Sequence, residues 1–252
     1  MIGGWLRARR RRKLLASPFP GEWVQPLERL EFYSDLSDER RSHLHDLVRV
    51  FIAEKHWEGC QGLELTDEMR VVIGAQACRL ILELNHAYYR RLRTILVYPS
   101  AYRHPTQGSG SGAVTQNWSA NAGESWSGGP IVLSWDSALR GALDPDDGHN
   151  LVYHEFAHVL DCLDGWADGV PPTGSAAQHE AWRTILEREY EALRKQAGAG
   201  RATLLDAYGA TNPAEFFAVA TECFFERPGK LKRKHAQLFE LLTTFYRQDP
   251  SA

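Results

Sequence analysis

The stretch HNLVYHEFAHVLDCLDG, residues 149–165, decides how the rest of this sequence is interpreted. Residues four apart on a helix lie one above the other, so His154 and His158 would present their imidazoles on one face, close enough to share an ion. Glu155 lies beside the first histidine, where a carboxylate can take a proton from a bound water. The HExxH spacing therefore predicts one zinc ion per chain, with Glu155 as general base.

The residues around this motif predict that its helix is buried. Apolar side chains would cover most of the helix circumference: Leu151, Val152, Phe156, Ala157, Val159 and Leu160. Burying two imidazoles and a carboxylate is costly unless they are paired, and a metal ion would pair with them. The apolar setting thus favours a metal site over histidines that share a helix by coincidence.

A catalytic zinc ion usually has three protein ligands and one open position, so a third ligand must come from elsewhere. Asp161 lies on the same helical face as both histidines, three residues after His158. It is a candidate ligand, although the sequence favours a carboxylate that orients an imidazole N–H.

Two further candidates lie in DAYGATNPAEFFAVATECFFE, residues 206–226, where Glu215 and Glu222 share a face of a predicted helix. Asn212 is a natural N-cap for this helix, so Glu215 also suits the N3 position of a capping box. Spacing alone leaves Glu215 open between ligand and capping residue, and Glu222 has the weaker claim to be a ligand.

The order of predicted elements indicates an α+β fold. Helical periodicity predicts helices over about 37–55, 66–84, 149–163, 175–197, 213–226 and 230–247. Short β-branched runs predict strands over 95–99 and 130–135. Between the strands, residues 103–125 have the composition of a hairpin or loop, with a Gly/Ser-rich tip over 107–112. Helices, then strands, then helices argue against an alternating βαβ sheet.

Composition adds an N-terminal charge asymmetry. The net charge is −3, but six of the 29 basic residues lie in 7–13, and the remaining 23 are outnumbered by 32 acidic residues. We expect residues 1–17 to be a disordered basic arm and residues 18–252 to form one domain. The arm makes nucleic-acid binding a weaker alternative.

No apolar run is long enough to cross a membrane, and four widely spaced cysteines favour a reducing cytoplasmic location.

Several separated motifs resemble known metallopeptidases. HEFAH followed 61 residues later by the glutamate of YGATNPAEFFA resembles the gluzincin-type site of the anthrax lethal factor catalytic domain. The whole chain more closely resembles the Mlc titration factor A family of zinc-dependent peptidases. The segments that carry this second resemblance are NLVYHEFAHVLD, NPAEFFAVATECFF, QGLEL (61–65), LVYPSAY (96–102), GESWSGGPIVLSW (123–135) and FYRQDP (245–250).

The resemblance implies a zincin-like domain with N-terminal helices, a small mixed sheet and C-terminal helices. It implies a zinc-dependent peptidase with aminopeptidase activity on peptide substrates, related through an Mlc-type transcriptional repressor to phosphotransferase sugar uptake. It also implies that His154, His158 and Glu215 are zinc ligands, and that Tyr208 steadies the oxyanion. The alternative function is a regulatory protein that sequesters such a repressor, with zinc stabilising the fold or supporting weak activity.

The role of Tyr208 can also be argued from chemistry. Its phenol lies just before the predicted helix that carries Glu215, and it could donate a hydrogen bond to the substrate carbonyl as negative charge develops there. Without the resemblance, an ordinary half-buried tyrosine is the simpler interpretation of Tyr208.

Overall fold

The computed structural model describes residues 2–100 and 129–252. The predicted loop or hairpin over 103–125, with its Gly/Ser-rich tip, lies outside these residues. Helices make up most of the described chain and three strands form a small sheet, which fits the α+β prediction. The α-helices within residues 2–80 are α1 (Ile2–Leu15), α2 (Val24–Glu28), α3 (Glu31–Ser34), α4 (Asp38–Glu54) and α5 (Asp67–Leu80).

Two predicted helix starts are confirmed by their caps. The side chain of Ser37 accepts a hydrogen bond from the backbone N–H of Arg40 at the start of α4. Thr66 accepts one from Met69 at the start of α5. Both hydroxyls satisfy a backbone donor that the first turn of a helix otherwise leaves unpaired.

The N-terminal segment differs from the expected disordered arm, because residues 2–15 form α1 and pack against α4. Arg11 makes two hydrogen bonds to Glu54 at the end of α4, from Nε at 2.6 Å and from Nη2 at 2.7 Å. Arg49 in α4 donates to the backbone carbonyl of Leu14. Arginine and leucine are good helix formers. The acidic partner is 43 residues away in sequence, so local composition could not reveal it.

Three strands form a parallel sheet in the order β1 (His56–Gly59), β2 (Thr94–Tyr98), β3 (Ile131–Ser134). His56 pairs with Thr94, and Ile95 pairs with Ile131. The sequence predicted β2 and β3 but not β1, whose HWEG sequence lacks an apolar run. The expected mixed sheet is wrong for the described strands, which are all parallel. β3 also ends one residue earlier than predicted, because Trp135 begins a helix.

The remaining helices follow the sheet in sequence. They are α6 (Trp135–Leu143), α7 (Leu151–Asp161), α8 (Ala176–Gly198), α9 (Pro213–Glu226), α10 (Pro228–Lys234) and α11 (Ala236–Tyr246). α7 packs against α9, α5, α6 and β3. Phe156 and Ala157 on α7, and Phe216 and Phe224 on α9, are fully buried. The motif helix therefore runs through the core, as its apolar circumference predicted.

The predicted single helix over 230–247 is wrong in one respect, because the chain leaves helical geometry at His235 and forms α10 and α11 instead. His235 Nδ1 lies 2.8 Å from Glu189 Oε2 on α8, so a tertiary contact holds the break. All four cysteines are free thiols. Among the described residues, no helix combines the length and apolar character needed to cross a membrane.

Candidate metal centre

The motif helix α7 presents its two histidines side by side. Asn150 caps the helix by accepting a hydrogen bond from the backbone N–H of Tyr153 at 3.0 Å. The Nε2 atoms of His154 and His158 are 3.3 Å apart, and their rings are nearly perpendicular. The i, i+4 spacing thus places two imidazole nitrogens at one point, as the sequence predicted.

Glu215 reaches the same point from α9. Asn212 Oδ1 accepts the backbone N–H of Glu215 at 2.9 Å, and Pro213 is the first helical residue. The carboxylate of Glu215 turns to the histidines, with Oε2 lying 3.0 Å from Nε2 of His154 and 3.5 Å from Nε2 of His158. Asn212 therefore caps α9, and the carboxylate of Glu215 contacts the two histidines instead of completing a capping box.

The side chains of His154, His158 and Glu215, here named the metal-binding cluster, have the donor set of a zinc site. One donor atom from each of His154, His158 and Glu215 lies within 4.8 Å of the other two. The second carboxylate oxygen of Glu215, Oε1, is buried and has no hydrogen-bond partner among the described residues. A buried carboxylate oxygen without a partner is costly. Two imidazole nitrogens and one carboxylate match the ligands of catalytic zinc, so the residues present fit this metal.

The electrostatic field at this point favours a cation. Burial alone would lower the pKa of His154, but the carboxylates of Glu222 and Glu215 outweigh burial and raise it well above its ordinary value. Burial would raise the pKa of Glu215, but hydrogen bonds from His154 and His158 hold it far below its usual range. Positive charge is therefore strongly stabilised between the two helices.

Glu155 follows the first histidine and is half-buried. Burial raises the pKa of its carboxyl, and so do the neighbouring carboxylates of Glu215 and Glu222, while the two histidines oppose the shift. A carboxylate with a raised pKa is a better proton acceptor near neutral pH than an exposed one. Its surroundings suit the general base that the motif predicted.

Tyr208 lies near His154, in a 3-10 turn over Ala207–Ala210. Asp206 caps this turn by accepting the backbone N–H of Tyr208 at 2.6 Å. The ring centroids of Tyr208 and His154 are 6.0 Å apart. The structure therefore brings Tyr208 to the metal-binding cluster, although 54 residues of sequence separate the phenol from the histidine.

Glu222 has a role that the sequence analysis assigned to a different residue. Its Oε1 lies 2.7 Å from Nδ1 of His154, and its Oε2 accepts the backbone N–H of Asn150 at 2.6 Å. The expectation that Asp161 orients an imidazole is wrong, because its Oδ2 accepts the backbone N–H of Gly169 at 3.0 Å instead. Asp161 therefore stabilises the loop after α7, and Glu222 orients the imidazole of His154.

A buried polar network behind the cluster was missed by sequence reasoning. The amide nitrogen Nδ2 of Asn150 has three acceptors within hydrogen-bond distance: Gln76 Oε1 on α5 at 2.9 Å, the carbonyl oxygen of Gly141 on α6 at 3.0 Å, and Glu226 Oε1 on α9 at 3.0 Å. Gln76 and Glu226 are both almost fully buried. Polar residues inside strongly apolar helices were the available signal. The network ties the start of α7 to three neighbouring helices.

The fold and the donor cluster together define a metallopeptidase-like protein: a mostly helical α+β domain with a candidate site for a metal ion. The model of the glucose-regulated metallo-peptidase M90 family matches residues 5–247. The chain therefore belongs to the glucose-regulated metallo-peptidase M90 family.

Relatives of similar length support the assignment. An uncharacterized protein of Synechocystis is 42% identical over 244 residues, which cover 96% of this chain and 89% of that protein. Mlc titration factor A of Edwardsiella ictaluri is 34% identical over 237 residues, covering 92% and 88%. Mlc titration factor A of Yersinia enterocolitica is 30% identical over 236 residues, covering 92% and 86%. The resemblance seen in the motifs thus extends over nearly the whole chain.

Proposed function

We propose that this protein is a zinc-dependent peptidase that cleaves the amino-terminal bond of peptide substrates. One observation carries the proposal: His154, His158 and Glu215 converge between α7 and α9 with Glu155 beside the first histidine. Membership of the M90 family supports the class of reaction. The preference for the amino-terminal bond is the finer part of the proposal and rests on the resemblance of the motifs.

In this mechanism the two histidines and Glu215 hold the zinc ion. When bound, zinc acidifies a water molecule and polarises a carbonyl group. Glu155 accepts the proton from the attacking water and later returns it to the leaving amine. Tyr208 donates a hydrogen bond to the carbonyl oxygen as negative charge develops there. Glu222 keeps the ring of His154 in place throughout, because it accepts the hydrogen bond from Nδ1.

The sheet offers a position for the substrate backbone. β3 lies at one edge of the three described strands and packs against α7. A peptide could extend the sheet by pairing with β3, which would bring its amino-terminal peptide bond toward the histidines of α7. The same strand also serves the core through Ile131 and Leu133, which are buried.

The test measures zinc content and hydrolysis on the same samples. We expect about one zinc ion per chain in the native protein, loss of both zinc and hydrolysis in His154→Ala, and retained zinc without hydrolysis in Glu155→Gln. The exposed His179 provides the matched control, since His179→Ala removes an imidazole outside the cluster. Hydrolysis that persists in Glu155→Gln would remove Glu155 as the base, and absence of zinc after reconstitution would reject the metal site.

A paired substrate separates an aminopeptidase from other peptidases. An amino-acid anilide with a free amine should be cleaved, whereas its N-acetylated form should resist cleavage. Equal cleavage of both would leave a peptidase without an amino-terminal preference.

The second candidate function is sequestration of an Mlc-type transcriptional repressor, suggested by the name Mlc titration factor A that the Edwardsiella and Yersinia relatives carry. In that case the Glu155→Gln variant should bind purified repressor as tightly as the native chain does. Binding without detectable hydrolysis by the native protein would favour this function over the peptidase.

A further inference from the structure

A second concave site lies at the N-terminal end of the molecule, between α1, the end of α4 and the segment that leads into β2. It encloses about 480 Å³ and shares no residue with the metal-binding cluster. Cavities of this size hold small organic ligands. Its cationic side chains come from both walls: Arg7, Arg10 and Arg11 from α1, and Lys55, Arg90 and Arg93 from the opposite side.

The positive charge in this cavity is largely uncompensated. Glu54 is the only acidic residue among those that line it, and Arg11 already engages both of its carboxylate oxygens. The guanidinium groups of Arg7, Arg10, Arg90 and Arg93 have no hydrogen-bond or ion-pair partner in the part of the chain that the structure describes. Cationic groups gathered without counter-charge repel one another, so an anion in the cavity would lower the energy of this arrangement.

Lys55 shows that the cavity wall is already organised around a cation. Its ammonium donates hydrogen bonds to the backbone carbonyls of Tyr89 at 2.6 Å and Leu92 at 2.9 Å. Burial lowers the pKa of Lys55 to about 8, with Glu54 opposing the shift. An ammonium group has three donors, so one N–H remains for a ligand.

We propose that this cavity binds a phosphate-bearing anion with a compact organic part. Guanidinium groups on both walls match phosphate oxygens in a bidentate manner, and a lysine ammonium adds a point charge. Leu6, Leu14 and Leu92 supply apolar wall surface for the carbon skeleton. The phosphate groups could belong to a free nucleotide or to a polynucleotide backbone, since both present the same oxygens.

The experiment titrates the full-length chain by calorimetry with ATP, with inorganic tripolyphosphate, and with a single-stranded oligonucleotide. Two double variants each remove two guanidinium groups from one wall of the cavity: Arg7→Gln with Arg10→Gln, and Arg90→Gln with Arg93→Gln. The matched control is Arg12→Gln with Lys13→Gln, which removes two exposed charges from the same helix α1 but none from the cavity. The thermal midpoint of each variant without ligand checks that it folds.

We expect the native chain to bind ATP, and both wall variants to bind it at least about tenfold more weakly, because each lost guanidinium removes charge-assisted hydrogen bonds. The control should change affinity less than about twofold, as expected for an exposed charge outside the site. Binding of the oligonucleotide in place of ATP, with the same dependence on both walls, would assign the phosphates to a polynucleotide.

Three results would overturn the proposal. One is no binding of any of the three probes. Another is equal weakening by the control and the wall variants, which would indicate attraction to the outer face of α1. The third is binding of ATP that both wall variants leave unchanged, which would place the nucleotide outside this cavity.

Discussion

Nδ1 of His154 donates a hydrogen bond to Oε1 of Glu222 at 2.7 Å, although the two residues are 68 positions apart in sequence. This contact fixes the imidazole so that Nε2 faces Glu215 and His158. A carboxylate in this position sets the tautomer of a metal-binding histidine and makes its free nitrogen more basic. The metal-binding cluster therefore depends on a glutamate that does not itself belong to the donor set.

Replacing Glu222 by glutamine should weaken metal binding without abolishing it. Glutamine keeps the shape of the side chain but loses the negative charge, so we expect zinc affinity to fall by roughly 10-fold to 100-fold. Competition with a chelator of known affinity measures the change. Glu226→Gln, one helical turn further along α9, is the matched control and should leave zinc affinity unaltered. A loss as complete as that of a ligand variant would place Glu222 among the ligands.

Removing the side chain of Asn150 should destabilise the protein more than removing an ordinary helix cap. Asn150→Ala loses the cap of α7 and leaves buried groups of Gln76 and Glu226 without their donor. We expect a cost of about 3 kcal/mol in the free energy of unfolding. Asn212→Ala loses only the cap of α9 and should cost about 1 kcal/mol. Urea denaturation compares the two, and equal costs would show that the network adds no stability.

The loop after α7 should tolerate no side chain at Gly169. This residue has φ of +79°, and a Cβ there would overlap the carbonyl oxygen of Pro213 at the start of α9. Gly165 also has a positive φ, of +106°, but open space around it. Gly165→Ala thus measures the backbone strain alone, and Gly169→Ala should cost about 1–3 kcal/mol more, as overpacked sites do.

A shift of α9 would also move Glu215, so Gly169→Ala should lower zinc affinity while Gly165→Ala should not. Thermal denaturation and chelator competition on the same two variants check both effects. Equal behaviour of the two alanine variants would show that α9 moves freely at Pro213.

Glu226 should make stability depend on pH. Burial raises the pKa of its carboxyl to about 8. The hydrogen bond from Asn150 and the charge of Arg79 oppose this shift, whereas the carboxylates of Asp147 and Glu222 add to it. Between the unfolded pKa of 4.5 and about 8, the folded chain binds more protons than the unfolded chain. The contribution of this residue to the free energy of unfolding therefore falls as pH rises through that window.

Glu226→Gln removes this titration and retains an acceptor for Asn150. We expect the thermal midpoint of the variant to exceed that of the native chain at about pH 8, with the difference shrinking toward about pH 5 as the native carboxyl becomes protonated. A difference that is constant across this range would mean that Glu226 titrates at its ordinary pKa in the folded protein.

The sequence by itself determined most of the longer helices, the strands β2 and β3, and the chemistry that these elements carry. Hydrophobic periodicity placed the helix that holds His154 and His158, and a spacing of four fixed their common face, since local backbone geometry decides both. Side-chain capping was equally local, so Ser37, Thr66 and Asn212 marked helix starts correctly. The short β-branched run over 95–99 predicted β2 for the same reason.

Only the tertiary structure decided which distant carboxylates meet the histidines. The packing of α7 against α9 brings Glu215 to the two Nε2 atoms and Glu222 to Nδ1 of His154, while Asp161 is taken by the backbone of Gly169. All three acids suited the histidines by sequence spacing. The sequence did not predict the helix over residues 2–15 for the same physical reason, because the hydrogen bonds from Arg11 to Glu54 join distant parts of the chain. Which buried charges find partners depends on how helices pack, and helical periodicity carries no information about that.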